Sequence, residues 1–84
     1  MGVQNNVRRL RISKGITQVA VASCLGISKM RYYRFENINK TVNSSWLPII
    51  AEFMGLDVNI FFSEELTDSV IKRTHKIKQK EAAK

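Results

Sequence analysis

Val3, Val7 and Leu10 recur at i, i+4 and i+7, the stripe of an amphipathic helix. Lys14 and then Gly15 supply a cation and a stop, so a first helix is predicted over 3–14. Thr17 is the N-cap of a second helix that carries "QVAVASCL" and ends at Gly26. Ala20, Ala22 and Ser23 offer almost no bulk, which lets another helix pack closely. Ser28 caps a third helix through Asn37. The segment "NINKTVNSS" has no helical period and reads as a loop. Ser44 or Ser45 starts a fourth helix, with Pro48 in the first turn, where N–H groups have no intrahelical partner. On it Trp46, Ile50 and Phe53 share one face, and Leu47, Ile50 and Met54 another; Gly55 ends it. Asp57 caps a fifth helix with Val58, Phe61 and Phe62. After Leu66 the apolar density falls, leaving Val70, Ile71 and Ile77 in a tail that is a solvated helix or disordered. There is no strand alternation and no internal repeat. The expectation is an all-α protein: five short helices over residues 1–66 and a basic extension over 67–84.

A chain of 84 residues is one domain with a small core. The net charge of +7 favours polyanionic partners, nucleic acid or an anionic membrane face. That charge is uneven. Residues 1–40 carry eight Lys/Arg and one acid, Glu36, whereas residues 41–66 carry four acids and no base. The remaining six bases lie in the tail. A single cysteine, Cys24, rules out an internal disulfide and fits a reducing compartment. No apolar run approaches the ~18 residues of a membrane span, and no signal-peptide core opens the chain. The expectation is a cytoplasmic protein with no membrane partner.

The densest chemistry lies in "ISKMRYYRFEN", residues 27–37, with three cations, three aromatic rings and a methionine. On a helix, Tyr32 and Phe35 fall together, while Met30, Tyr33, Arg34 and Asn37 fall on the opposite face. The adjacent tyrosines therefore divide: Tyr32 faces inward and Tyr33 outward, with Lys29 and Arg31 flanking the outer face. Such a face suits DNA. Arginine pairs with guanine O6 and N7, apolar groups touch the thymine methyl, and asparagine pairs with adenine. Lysine and tyrosine hydroxyls serve phosphates. Taken alone, the stretch also fits a solvated basic helix with no ligand.

Its surroundings add to this. "TQVAVASCLGISKMRYYRFEN", residues 17–37, resembles the helix-turn-helix of the Cro and lambda-repressor-like domains, the XRE family. Gln18 opens the motif, and Val21, Leu25, Ile27, Tyr32 and Phe35 match its apolar positions. Ala22 stands where close helix contact needs a small side chain, and Gly26 occupies the turn. "LRISKGITQ" looks like the family's first helix and junction, and "WLPIIAEFMGLDVNIFF" like its last two helices, so the likeness covers about residues 3–63. The chain departs from the pattern at Val21, at Tyr32, at Ile38 where glycine is common, and in a longer 38–45 loop.

The resemblance implies a compact five-helix DNA-binding domain acting as a homodimer on an inverted-repeat operator in double-stranded DNA. It implies a transcriptional repressor. Lys29, Met30, Tyr33 and Arg34 would read bases. Thr17, Gln18, Arg31, Asn37, Lys40, Ser44 and Ser45 would hold the backbone, Gln18 with the N-terminus of the second helix. Arg31 and Tyr33 can serve either role. A carboxylate beside phosphates would be repelled, so Glu36 needs a partner; the resemblance assigns it Arg11 as a structural ion pair. Arg8, Arg9 and Lys14 form a solvated helix face or further DNA contacts. Trp46, Phe53 and Phe61 are expected in the core, as is Cys24. Phe62 and Leu66 are candidate interface residues, because family members commonly dimerise near the last helix.

His75 has no Cys or acidic partner at ligand spacing, so no metal is expected. Neither a phosphate-cradling glycine loop nor a nucleophile with a base is recognisable, so no cofactor and no enzyme are expected. The alternative is a protein-interaction regulator, of antitoxin or anti-repressor type, that docks a partner protein through its C-terminal region. Membrane-surface binding by the tail is weakly supported, since few apolar residues accompany its lysines.

Overall fold

The computed structural model describes residues 2–38 and 42–82, with side chains through Arg73. Helix α1 spans Val3–Ser13, α2 Gln18–Leu25, α3 Lys29–Asn37 and α4 Trp46–Met54. A 3-10 helix, Val58–Phe62, leads into α5, Glu64–Ala82. The fold is all-α, with no strand among the described residues.

The capping chemistry read from the sequence is present at α2 and α3. The Thr17 hydroxyl accepts from the Ala20 N–H at 3.1 Å, and the Ser28 hydroxyl from the Arg31 N–H at 3.2 Å. Gly26 ends α2 at φ 71°, and Ile27 N–H returns to the Ala22 carbonyl at 3.0 Å. The left-handed residue turns the chain sharply enough to start α3 at Lys29.

Helix α4 begins differently. Ser45 stands at its N-cap but makes no side-chain cap. Two residues after Trp46 comes Pro48, so one donor that a cap would serve does not exist. The first N–H groups of α4 go to backbone carbonyls, Trp46 to Asn43 at 3.1 Å and Leu47 to Ser44 at 3.3 Å, while the Asn43 side chain accepts from the Ser45 N–H at 3.2 Å and the Ser45 hydroxyl at 2.6 Å.

All the helices converge on one core. Val7, Leu10, Val21, Tyr32, Phe35, Leu47, Ile50 and Phe61 are almost wholly buried. Ala22, also buried, lets α2 and α3 approach. Burying side chains of this size stabilises by about 1.5–3 kcal/mol each before entropy is charged against it.

Four expectations need correction. The fifth helix is a 3-10 turn: Asp57 caps it as foreseen, through the Asn59 N–H at 2.8 Å, but it closes after five residues. A second cap, Ser63, accepts from the Leu66 N–H at 3.1 Å and launches α5. Helix α5 then crosses residue 66 without a break, so the first part of the expected tail belongs to the fold. Thr67 is fully buried and donates to the Ile60 carbonyl at 2.8 Å, while Val70 and Ile71 pack on the core. Phe53 is not core but 43% exposed, because α4 turns Leu47, Ile50, Ala51 and Met54 inward. Cys24 is exposed for a similar reason: α2 buries Val21 and Ala22, and Cys24 is off that face. Trp46 is half-buried.

Candidate nucleic-acid interface

Helix α3 is anchored on one side and bare on the other. Tyr32 and Phe35 lie in the core with ring centroids 5.7 Å apart. Lys29, Met30, Arg31, Tyr33, Arg34 and Asn37 are all exposed. Met30 is 59% exposed, so most of its apolar chain faces solvent. Tyr32 is buried and Tyr33 is 43% exposed, as the spacing predicts.

The anchor is electrostatic as well as apolar. Arg11 of α1 donates to Glu36 twice, Nε to Oε2 at 2.7 Å and Nη2 to Oε1 at 3.1 Å. Its third donor, Nη1, reaches the Ile16 carbonyl at 2.8 Å. Gln18 Nε2 donates to Glu36 Oε1 at 3.2 Å. The Glu36 side chain is fully buried, so the expected Arg11–Glu36 pair exists and the carboxylate is hidden from the outer face. One buried cluster thereby ties α1, the start of α2 and the end of α3. The Tyr32 hydroxyl is buried beside it without a well-formed hydrogen bond. Burial first, then the neighbouring Glu36 carboxylate, holds its pKa far above the usual tyrosine range.

Gln18, Lys29, Met30 and Tyr33 line an open groove of ≈ 310 Å³ between α2 and α3. Three of the four base-reading candidates thus share a concavity with the first residue of α2. Arg34, the fourth, stands one turn beyond Met30 on the exposed face.

The backbone candidates are a mixed set. Gln18 gives one side-chain N–H to Glu36, and its main-chain N–H stands at the helix start, where an anion is favoured. The Thr17 hydroxyl accepts from its own helix and keeps a hydrogen to donate. Asn37 Nδ2 donates to the Tyr33 carbonyl at 3.1 Å, so a donor wanted for phosphate is occupied. Ser45 donates its hydroxyl to Asn43, whereas Ser44 is exposed at the same turn. Neither serine lines the α2–α3 groove. Lys40 lies outside the described residues. Arg9 forms an ion pair with Asp68 of α5, and Arg8 remains exposed.

Several participants escaped the sequence reading. Arg31 lies over the Trp46 ring, with Cζ 5.6 Å from the centroid. Trp46 in turn meets Phe35 edge-on at 5.4 Å. Asn6, buried in α1, donates to the Phe61 carbonyl at 2.9 Å and locks the 3-10 helix down. Its position at i+3 from Val3, inside the apolar stripe, was the available signal. No pattern in the chain announces the Arg31–Trp46 contact, which joins α3 to α4.

Among the described residues, no group of His, Cys, Asp and Glu side chains could hold a metal ion. Among them also, no helix is long and apolar enough to cross a membrane. No protein-family model, curated protein or solved structure matches the chain.

Proposed function

We propose that the chain is a cytoplasmic, sequence-specific regulator of transcription that binds double-stranded DNA as a homodimer. In this reading it represses by occupying an inverted-repeat operator, with α3 of each copy in a major groove. The observation that supports it best is the division of α3. One face is fixed by Tyr32, Phe35 and Glu36, and the other offers Lys29, Met30, Tyr33 and Arg34 to solvent. Arg34 has the fork that matches guanine, and Met30 the apolar chain that suits a thymine methyl. The helix order and the Gly26 turn support kinship with the Cro and lambda-repressor-like family. Exposed Phe62 and Leu66 supply apolar surface for a second copy.

The test is selection of bound duplexes from a random double-stranded pool near physiological salt. Enrichment of an inverted repeat is the expected result. Binding without enrichment would leave only charge-driven affinity and contradict the reading.

In the alternative, the C-terminal region docks a partner protein, the role of an antitoxin or anti-repressor. A chain ending after Arg73 separates the two. It retains Thr67, Val70 and Ile71, so lost partner capture with intact DNA binding would favour this second role.

A further inference from the structure

Arg31 is exposed, yet it is not adrift. Its guanidinium carbon sits 5.6 Å from the centre of the Trp46 ring, within the range of a cation–π contact. Trp46 is itself held, edge-on against the buried Phe35 and as the first residue of α4. No hydrogen bond or ion pair occupies the Arg31 side chain among the described residues. A guanidinium held over a ring, with no carboxylate on it, keeps N–H groups for an oxygen acceptor, and its fork matches a phosphate bidentately. A free arginine would lose much rotamer freedom on being fixed. One already resting on an aromatic shelf loses less.

Position supports the same role. On α3, Arg31 lies nearer the buried Phe35 than the Met30–Tyr33–Arg34 face, at the rim facing α4. Rim cations suit the backbone beside the groove, whereas central ones suit base edges.

We infer that Trp46 is a positioning residue that presents Arg31 to a DNA phosphodiester, so that the two form one phosphate-binding unit bridging α3 and α4. The inference rests on the DNA-binding reading above and goes beyond it. Trp46 becomes part of the binding site, and the recognition helix gains a contact whose strength depends on how α4 is placed.

The experiment is a double-mutant cycle on the full chain, with an operator enriched from the pool and unrelated duplexes. Its variants are Arg31→Ala, Trp46→Leu, both together, and Trp46→Phe. Arg31→Ala should weaken binding to every duplex by a similar factor and lower the salt slope by about one. Trp46→Leu should cost about 3-fold to 10-fold in affinity, with a shallower salt slope. The double variant should bind no worse than Arg31→Ala. Trp46→Phe, which keeps an aromatic shelf and tolerates the Phe35 contact, should recover most of the loss. Thermal melting by circular dichroism shows that each variant is folded; if Trp46→Leu is not, Trp46→Met, which keeps bulk without a ring, takes its place in the cycle.

A direct readout is also present, because Trp46 is the chain's one tryptophan. Its emission should shift on Arg31→Ala without any DNA. Additive losses, or an unchanged affinity and salt slope in a folded variant that lacks the ring at position 46, would overturn the inference while leaving the DNA-binding reading standing. A wild-type chain that binds no duplex would remove both.

Discussion

Arg11 grips Glu36 through two N–H groups across 25 residues of chain, with the carboxylate wholly buried. This contact sets the pitch of α3 against α1. It also removes the one acid of the first forty residues from the surface that carries the cations. A buried pair is a poor source of net stability but a severe loss when halved, since the survivor is left charged and unsolvated.

Glu36→Ala should therefore destabilise the fold by about 3–5 kcal/mol in urea titration. Asp68→Asn, which breaks the solvent-exposed pair with Arg9, should cost under about 1 kcal/mol. Equal effects from the two substitutions would contradict a buried structural role for Glu36.

Tyr32 makes a pH-dependent contribution. Its folded pKa is raised by burial and by Glu36, so the native state keeps the hydroxyl proton longer than the unfolded chain does. Stability from this group is complete below about pH 10 and falls above it, as the unfolded chain alone ionises. The fall should reach about 1.4 kcal/mol per pH unit. Tyr32→Phe should lack that component, and at neutral pH it should lie within about 1 kcal/mol of wild type, because no well-formed hydrogen bond is lost. The check is urea denaturation of both proteins from pH 8 to 11; parallel curves would refute the assignment.

Gly26 is required by its backbone and not by crowding. At φ 71° a Cβ would meet no atom within 4 Å, so Gly26→Ala carries only the left-handed penalty. The expected loss is about 1–2 kcal/mol by thermal or urea melting. Gly26→Asn should be milder, since asparagine tolerates this region. A neutral Gly26→Ala would mean that the turn relaxes to another conformation.

Truncation separates the two parts of α5. A chain ending at residue 66 loses Thr67, Val70 and Ile71 from the core and should lose about 3 kcal/mol or more. A chain ending after Arg73 should melt close to the full protein. Similar melting of both would show that the α5 contacts add nothing.

Much of this architecture is legible in the chain because local chemistry decides it. Thr17, Ser28, Gly26 and Gly55 mark helix ends through hydrogen bonds and dihedrals that involve only near neighbours. The faces of α3 follow from the helical repeat, and Glu36 is conspicuous as a lone acid among cations. The failures are of another kind. Thr67 hides the α5 stripe because a hydroxyl reads as polar until a carbonyl, here that of Ile60, is found for it. Phe53 reads as core by size, yet the smaller Ala51 and Met54 hold the inward positions. Gln18 looks like a free amide, and only tertiary placement shows that it donates to Glu36.

The most direct measurement of the central claim compares wild type and Arg34→Ala on the operator enriched from the random pool, with every base pair varied in turn. Loss of about 1–3 kcal/mol, with discrimination relaxed at one position per half-site, is the predicted result. An equal loss on every sequence would show that α3 holds DNA by charge alone and does not read it.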